Sequence, residues 1–150
     1  MECVFCRIVK RGEKAVKLWE DNDFILILDK YPNTYGQALL ITKKHFNTGI
    51  EDLPDEILRK LPFAMRKSVE ILKKGLNVKK VGIVIEGTGV FHFHVKFYPM
   101  IGWNGERIIV DNPRIWFEKY PGYLCTIIGE EKGFEELERI RNKILENINS

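Results

Sequence analysis

Two of the chain's three histidines lie in the stretch GTGVFHFHVKFYP, residues 87–99. His92, His94 and Lys96 are spaced two residues apart, and bulky apolar residues separate them. Because alternate residues of a strand share one face, a strand here would present the three polar side chains together. Imidazole can bind a metal or attack a phosphorus atom, and an ammonium group binds phosphate. A solvated sheet face without function would give the same pattern.

Two neighbouring features favour a functional site. The turn before the first histidine of this stretch contains Thr88 and Gly89, and a glycine-rich turn can offer backbone N–H groups to a phosphate. The remaining histidine, His45, follows a predicted strand at the point where the chain leaves the sheet, and functional groups often collect at such points. The formal net charge of +3 is too small to predict nucleic-acid binding, and it would not repel an anionic substrate.

Cys3 and Cys6 form a C-x-x-C pair near the start of the sequence. Three interpretations of the pair stay open: a redox pair, two unreactive thiols, or two ligands of a structural zinc ion. A thioredoxin-like pair normally follows a strand and opens a helix, and no strand is predicted before Cys3. Cys125 stands apart from this pair and is predicted to be a buried apolar residue.

Hydrophobic periodicity predicts the elements that would position these residues. Five strands are predicted, at residues 15–20, 23–29, 37–42, 79–87 and 90–98. One long helix is predicted to begin near Asp52 and Pro54 and to end at Gly75. The fold class is therefore α+β, with a mostly antiparallel five-stranded sheet and one main helix.

Beyond the sheet, the sequence predicts a C-terminal hairpin from residues 106–110 and 114–120, followed by a charged amphipathic helix from Glu131 onward. The first residues lack the apolar segment of a secretory signal, and no apolar run is long enough to span a bilayer. We therefore predict a cytoplasmic protein without a membrane partner. In that compartment a C-x-x-C pair rarely forms a structural disulfide.

At the level of motifs, HFHVKFYP resembles H-φ-H-φ-H-φ-φ, the signature of the histidine triad (HIT) superfamily, with Lys96 in place of the third histidine. Residues 3–46 are similar to the N-terminal half of that family, with a C-x-F-C-x-I opening, a D-x-x-P turn and an L-x-I-x-K-x-H strand end. The resemblance covers about residues 1–100. It implies a single HIT-like domain over residues 1–150, with residues 101–150 as a C-terminal extension.

The resemblance also implies the roles of individual residues in a nucleotide site. His94, at the middle position, would attack the α-phosphate and form a nucleotidyl-imidazole intermediate. Lys96 would bind the phosphate as a point charge, but it would not reproduce the proton delivery of a third imidazole. Asp29 would accept hydrogen bonds from the ribose hydroxyls.

Further contacts are implied at the two ends of the nucleotide. The positions that sandwich the base correspond to Val4, Phe5, Ile8 and Ile27, for which core packing is an equally good explanation. Thr88 and Gly89 would face the phosphate, although the family usually has a glutamine where this chain has Thr88, and the loop is shorter here.

The zinc-binding members of the family use two cysteines and two histidines, which correspond to Cys3, Cys6, His45 and His92. This implies a structural zinc ion, with His94 left free to react. The resemblance as a whole implies a homodimeric hydrolase of nucleoside phosphoramidates, dinucleoside polyphosphates or similar nucleotidyl compounds. A nucleotidyl transferase and a nucleotide-binding regulatory module with little turnover are the alternatives, and no specific nucleic-acid partner is expected.

Overall fold

The computed structural model describes residues 3–108, 114–125, 131–136 and 138–139 of the 150-residue chain. The chain divides into two compact units, Met1–Glu106 and Arg107–Ser150. The first unit contains the sheet and both α-helices described below. Among the described residues, no helix combines the length and the apolar character that a bilayer-spanning helix needs.

A five-stranded sheet forms the centre of the first unit. Its strands are β1 (Lys17–Glu20), β2 (Phe24–Leu28), β3 (Ala38–Thr42), β4 (Val81–Val84) and β5 (His94–Pro99). They pair in the order β1-β2-β3-β5-β4, and every neighbouring pair is antiparallel. The predicted antiparallel α+β sheet is therefore confirmed. Strand β5, which carries His94 and Lys96, lies between β3 and β4.

The helices differ from the prediction in three places. Helix α1, Val4–Val9, is absent from the sequence-based prediction because six residues are too few for a helical period to stand out. Helix α2 is Asp55–Leu76, and a separate 3₁₀ turn at Ile50–Asp52 replaces its predicted start. It continues through Gly75 and ends only where Asn77 adopts a left-handed conformation with φ 52°.

The sheet separates two apolar clusters. The face that packs against α2 buries, among others, Phe24, Leu26, Leu40, Val95 and Phe97 of the sheet with Leu61 and Leu72 of the helix. The opposite face buries Ile25, Ile27, Leu39 and Ile41 together with Phe5 of α1. Because side chains alternate along a strand, His94 and Lys96 of β5 lie on the face that α1 covers. The two sheet faces therefore differ: the face toward α2 carries the larger apolar cluster, and the face toward α1 combines the smaller cluster with the polar residues of β5.

The C-terminal hairpin is not formed by the described residues. The structure assigns no strand to residues 106–108 or 114–125, and residues 109–113 lie outside the described part. Local alternation favours an extended segment, but a strand also needs a hydrogen-bonding neighbour, and the described residues supply none here. Residues 134–136 and 138–139 are helical, as predicted, and the rest of the predicted helix lies outside the described residues. Cys125 is exposed rather than buried.

Candidate functional site

His92 lies just before β5, not within it as the sequence predicts. The backbone bends at residues 89–92, and the imidazole of His92 is completely buried. Its Nε2 lies 2.7 Å from the carbonyl oxygen of Thr42, to which it donates, so Nδ1 keeps the free lone pair. The hydrogen bond therefore directs Nδ1 away from the sheet and toward the N-terminal segment.

The side chain of His92 forms a cluster with those of Cys3, Cys6 and His45. The Sγ atoms of Cys3 and Cys6 and the ring nitrogens of His45 and His92 all lie within 4.8 Å of one another. The contacts are 3.5 Å from Cys3 Sγ and 3.6 Å from Cys6 Sγ to His92 Nδ1, and 3.3 Å from Cys6 Sγ to His45 Nδ1. The structure thus brings together the four predicted metal-ligating residues, and the cluster could hold a metal ion.

Three separate elements supply this cluster. Helix α1 places Cys3, its N-terminal cap, and Cys6 one turn apart on the same side, as the i, i+3 spacing requires. His45 comes from the segment after β3, and His92 from the bend before β5. Burial lowers the pKa of His92, and nearby His45 acts in the same direction, while the Thr42 carbonyl opposes them. The lowered pKa favours the neutral imidazole, which is the form that can bind a metal ion.

His94 begins strand β5 and is only 3% exposed. Its Nδ1 lies 2.8 Å from the carbonyl oxygen of His92 and donates to it, which leaves the lone pair on Nε2. Burial lowers the pKa of His94, and the positive charge of Lys96 lowers it further, against the opposing effects of the His92 carbonyl and of nearby carboxylates. A neutral imidazole with one nitrogen fixed by a carbonyl can act as a nucleophile near neutral pH.

A cavity of about 700 Å³ lies beside His94 and Lys96. Every residue that the sequence predicts to contact substrate lines this cavity except Thr88; those that do are Val4, Phe5, Ile8, Ile27, Asp29, Gly89 and Lys96. The ring of Phe5 stands edge-on to the ring of His94, with 5.1 Å between the centroids. The cavity therefore combines an apolar wall with an imidazole, an ammonium group and a carboxylate, which is the usual composition of a small-molecule site.

The carboxylate of Asp29 is held by two donors. The backbone N–H of Tyr31 donates to Oδ1 at 2.9 Å, and Nε2 of Gln37 donates to Oδ2 at 2.5 Å. Gln37 is itself 5% exposed, and its Oε1 accepts a hydrogen bond from the backbone of Asn33. Sequence reasoning misses Gln37; a polar residue at the very start of an otherwise apolar strand is the signal that could have found it.

Glu86, which the sequence analysis does not single out, lies beside Lys96. Lys96 pairs with Val84 in the sheet, so Glu86 follows its cross-strand partner by two residues, and its Oε1 accepts a hydrogen bond from Lys96 Nζ. The other oxygen accepts hydrogen bonds from the hydroxyl and the backbone N–H of Thr88. Thr88 is therefore bonded to Glu86 and exposed, rather than turned into the cavity.

The residues of this site lie in a part of the chain that is similar to known proteins. A sequence profile described as "Scavenger mRNA decapping enzyme C-term binding" matches residues 2–100. An uncharacterised HIT-like protein of Methanocaldococcus jannaschii is 31% identical over 110 residues, which are 71% of this chain and 84% of that protein. The chain belongs to the histidine triad (HIT) superfamily.

Two further proteins are similar to this chain. One is a zinc-bound histidine triad family protein of Mycobacterium smegmatis, whose solved structure matches with a TM-score of 0.63. The two chains are 31% identical, and the match covers 71% of this chain and 79% of that one. Adenylylsulfatase HINT3 of Arabidopsis thaliana is 31% identical over 108 residues, which are 65% of this chain and 52% of that protein. The predicted HIT-like fold is thus confirmed.

Proposed function

We propose that this chain is a nucleotide-binding hydrolase that cleaves nucleotidyl compounds at the α-phosphate. The observation that carries the proposal is the hydrogen bond from His94 Nδ1 to the His92 carbonyl, which leaves Nε2 as the reactive nitrogen beside the cavity. The lining residues give the cavity an apolar wall for a base, a carboxylate for ribose hydroxyls and a cation for phosphate.

In the proposed reaction, Nε2 of His94 attacks the α-phosphorus and the bond to the leaving group breaks. Water then cleaves the nucleotidyl-imidazole and releases the nucleotide. Asp29, held by Tyr31 and Gln37, would accept hydrogen bonds from the ribose and fix the position of the phosphorus relative to His94. Lys96 would offset the charge that develops on the phosphate oxygens.

The metal of the Cys3, Cys6, His45 and His92 cluster is proposed to be zinc. A tetrahedral zinc ion, with bonds of about 2.3 Å to sulfur and about 2.0 Å to nitrogen, separates a sulfur from a nitrogen ligand by about 3.5 Å. The sulfur–nitrogen distances of 3.3, 3.5 and 3.6 Å in the cluster fit this value. Bound zinc would cross-link the parts of the chain that supply its ligands. It would also hold His92 in place, and the carbonyl oxygen of His92 accepts the hydrogen bond that orients His94.

One observation favours a second candidate, a nucleotide-binding module with little turnover. The ammonium group of Lys96 is already paired with Glu86, so part of the positive charge offered to a phosphate is neutralised. In this case the cavity would bind a nucleotide, and the chemical step would be slow.

Hydrolysis of three adenylyl compounds tests the proposal: adenosine phosphoramidate, diadenosine polyphosphate and adenylyl sulfate. His94→Ala is compared with wild type and with Arg59→Ala, a change at an exposed position of α2. We expect His94→Ala to lose at least about 10³-fold in kcat, because it lacks the nucleophile, while Arg59→Ala keeps wild-type turnover. Equal turnover by wild type and His94→Ala would refute the role of His94.

Nucleotide binding separates the two candidates when turnover is absent. If calorimetry shows that wild type binds AMP but none of the three compounds is cleaved, the binding module is the better description. The homodimer and the cytoplasmic location stay predictions. Sedimentation that shows only a monomer would contradict the first of them.

A further inference from the structure

The third triad position of this chain is an ion pair rather than an imidazole. Lys96 Nζ donates to Oε1 of Glu86, and both side chains are largely buried, with 24% and 14% of their surface exposed. Thr88 holds the other carboxylate oxygen through its hydroxyl and its backbone N–H. The pair is therefore fixed from both ends: by strand β5 on one side and by the turn after β4 on the other.

Both members of the pair keep their charges over the physiological pH range. Burial acts to lower the pKa of Lys96, but the hydrogen bond and the charge of Glu86 outweigh it, and Tyr98 and Asp29 add to the rise. Burial likewise acts to raise the pKa of Glu86, but the bonds from Lys96 and Thr88 lower it to about 2. Lys96 thus holds its proton firmly, and Glu86 has no proton to give.

The consequence concerns the group that leaves the phosphorus. A side chain that protonates a leaving group works best when its pKa is close to the working pH, as an ordinary histidine's is. An ammonium group tied to a carboxylate can still attract a phosphate oxygen, although more weakly than a free one, but it does not serve as a proton donor. An amine that leaves phosphorus without a proton would depart as a strongly basic amide anion, whereas sulfate, carboxylate and phosphate depart as stable anions.

We propose that the Lys96–Glu86 pair makes this chain selective for nucleotidyl anhydrides, in which the α-phosphate is joined to a sulfate, carboxylate or phosphate, over nucleotidyl amides. The inference rests on the proposed function and narrows its substrate class. Lys96 contacts the phosphate, and Glu86 is a positioning residue that keeps the ammonium group in place.

The bonds balance without a proton donor at the first step. The Nε2 lone pair of His94 forms a phosphorus–nitrogen bond as the bond from phosphorus to the bridging oxygen breaks, and the electron pair leaves on that oxygen as an anion. Water then forms a phosphorus–oxygen bond as the phosphorus–nitrogen bond breaks, the electron pair returns to Nε2, and one proton passes to solvent.

The test is a leaving-group series on the full-length protein. kcat/KM is measured for adenylyl sulfate, adenosine phosphoramidate and a set of phenyl esters of AMP whose phenols differ in pKa. For wild type we expect adenylyl sulfate to be cleaved well, the phosphoramidate poorly, and the esters with a steep fall in kcat/KM as the phenol becomes more basic. Lys96→His supplies a proton donor, so it should flatten this slope and raise the phosphoramidate-to-sulfate ratio by at least about tenfold.

Two further variants show whether the change seen in Lys96→His comes from the proton donor or from a disturbed structure. Lys96→Met removes the cation without adding a donor, so it should slow all substrates and keep the steep slope. The double variant Glu86→Gln with Lys96→His repeats the Lys96→His measurement without an unpaired carboxylate, in case the single variant folds poorly. The expected flattening in both His variants, but not in Lys96→Met, supports the inference.

The inference and the proposed function fail in different ways. The leaving-group inference would be overturned if wild type cleaved the phosphoramidate as fast as adenylyl sulfate, or if the ester slope were shallow and Lys96→His left it unchanged. In either case the proposed function, a hydrolase that depends on His94, would still stand. Wild type that cleaves none of the substrates would overturn the proposed function, and the inference with it.

Discussion

His92 and His94 show how the same side chain obtains opposite properties two residues apart. His92 donates from Nε2 to the carbonyl of Thr42 and turns Nδ1 toward the two sulfur atoms. His94 donates from Nδ1 to the carbonyl of His92 and keeps Nε2 for the cavity. The backbone carbonyl that each ring meets therefore decides which nitrogen is free, Nδ1 in His92 and Nε2 in His94, as the proposed roles of metal ligand and nucleophile require.

Gln37 should contribute to ribose binding through Asp29. Because its amide holds Oδ2 of Asp29, Gln37→Leu should leave that carboxylate poorly oriented. Losing the orientation of one charge-assisted hydrogen bond should weaken AMP binding about tenfold, as measured by calorimetry. Binding of 2′,3′-dideoxy-AMP, which has no hydroxyls for Asp29, serves as the control and should not change. An equal loss for both nucleotides would mean that Gln37 shapes the whole cavity instead.

The ionised Glu86 side chain should make the stability of the protein depend on pH. Its pKa is lowered from 4.5 to about 2, since the bonds from Lys96 and Thr88 outweigh the opposing effect of burial. A carboxylate with a lowered pKa contributes stability above its unfolded-state value and loses it as the pH falls through the folded value. We expect wild type to exceed Glu86→Gln in unfolding free energy by about 1–2 kcal/mol at pH 6, and by almost nothing near pH 2.

Urea unfolding at intervals between pH 6 and pH 2 measures this difference. Glu70→Gln, at an exposed position of α2, is the matched control and should follow wild type over the whole range. A difference between wild type and Glu86→Gln that is the same at every pH would show that the charge of Glu86 contributes nothing to folding.

At the scale of elements, the connection from β4 to β5 decides the geometry of the site. Residues 85–93 carry Glu86, Gly89 and His92 between two paired strands. Gly87 fixes the course of this connection, because its φ is +64° and a Cβ added to it would lie 2.4 Å from Cβ of Thr48. Only glycine permits both the left-handed backbone and the close approach to Thr48.

Two glycines of this connection form a matched pair for mutagenesis. Gly87→Ala should cost about 2 kcal/mol or more in unfolding free energy, because it adds both backbone strain and a clash with Thr48. Gly89→Ala should change the unfolding free energy by less than about 0.5 kcal/mol, since an added Cβ there meets nothing within 4 Å. Denaturant unfolding of both variants is the measurement, and equal stabilities would contradict the role given to Gly87.

At the scale of the whole molecule, the Cys/His cluster joins three parts of the chain that are far apart in sequence: α1, the segment after β3 and the bend before β5. Such a link stabilises the folded state because the unfolded chain has no preformed site for the metal. We expect purified protein to hold about one zinc ion per chain, and chelation to lower its melting temperature by about 10 °C or more.

Two cysteine variants sharpen this prediction. Cys3→Ser should lose the metal and melt at the temperature of the chelated protein, whereas Cys125→Ser, at an exposed position outside the cluster, should keep both. Elemental analysis and thermal unfolding give the two readouts. Protein that is free of zinc without any exposure to a chelator, or a melting temperature that chelation does not change, would reject the site.

Several features of this protein follow from its sequence because they depend on residues close together in the chain. Short apolar or alternating runs predicted the five strands, and helical spacing predicted most of α2. The HIT-like motifs pointed to His94, to Asp29 and to the four residues that the structure brings together in the Cys/His cluster. The ends of α2 were less accurate, because a proline and a glycine are locally compatible with more than one boundary.

Contacts between residues of different strands depend on how the chain folds. The pairing of β4 with β5 brings Glu86 to Lys96, and the turn from β2 to β3 brings Gln37 to Asp29. The sequence does not show which residues form either pair, because such a contact depends on strand order and register rather than on residue spacing. Motifs in the sequence therefore point to His94, Lys96, Asp29 and the four members of the Cys/His cluster, whereas strand pairing and backbone carbonyls settle the partner of Lys96 and the free nitrogen of His92 and of His94.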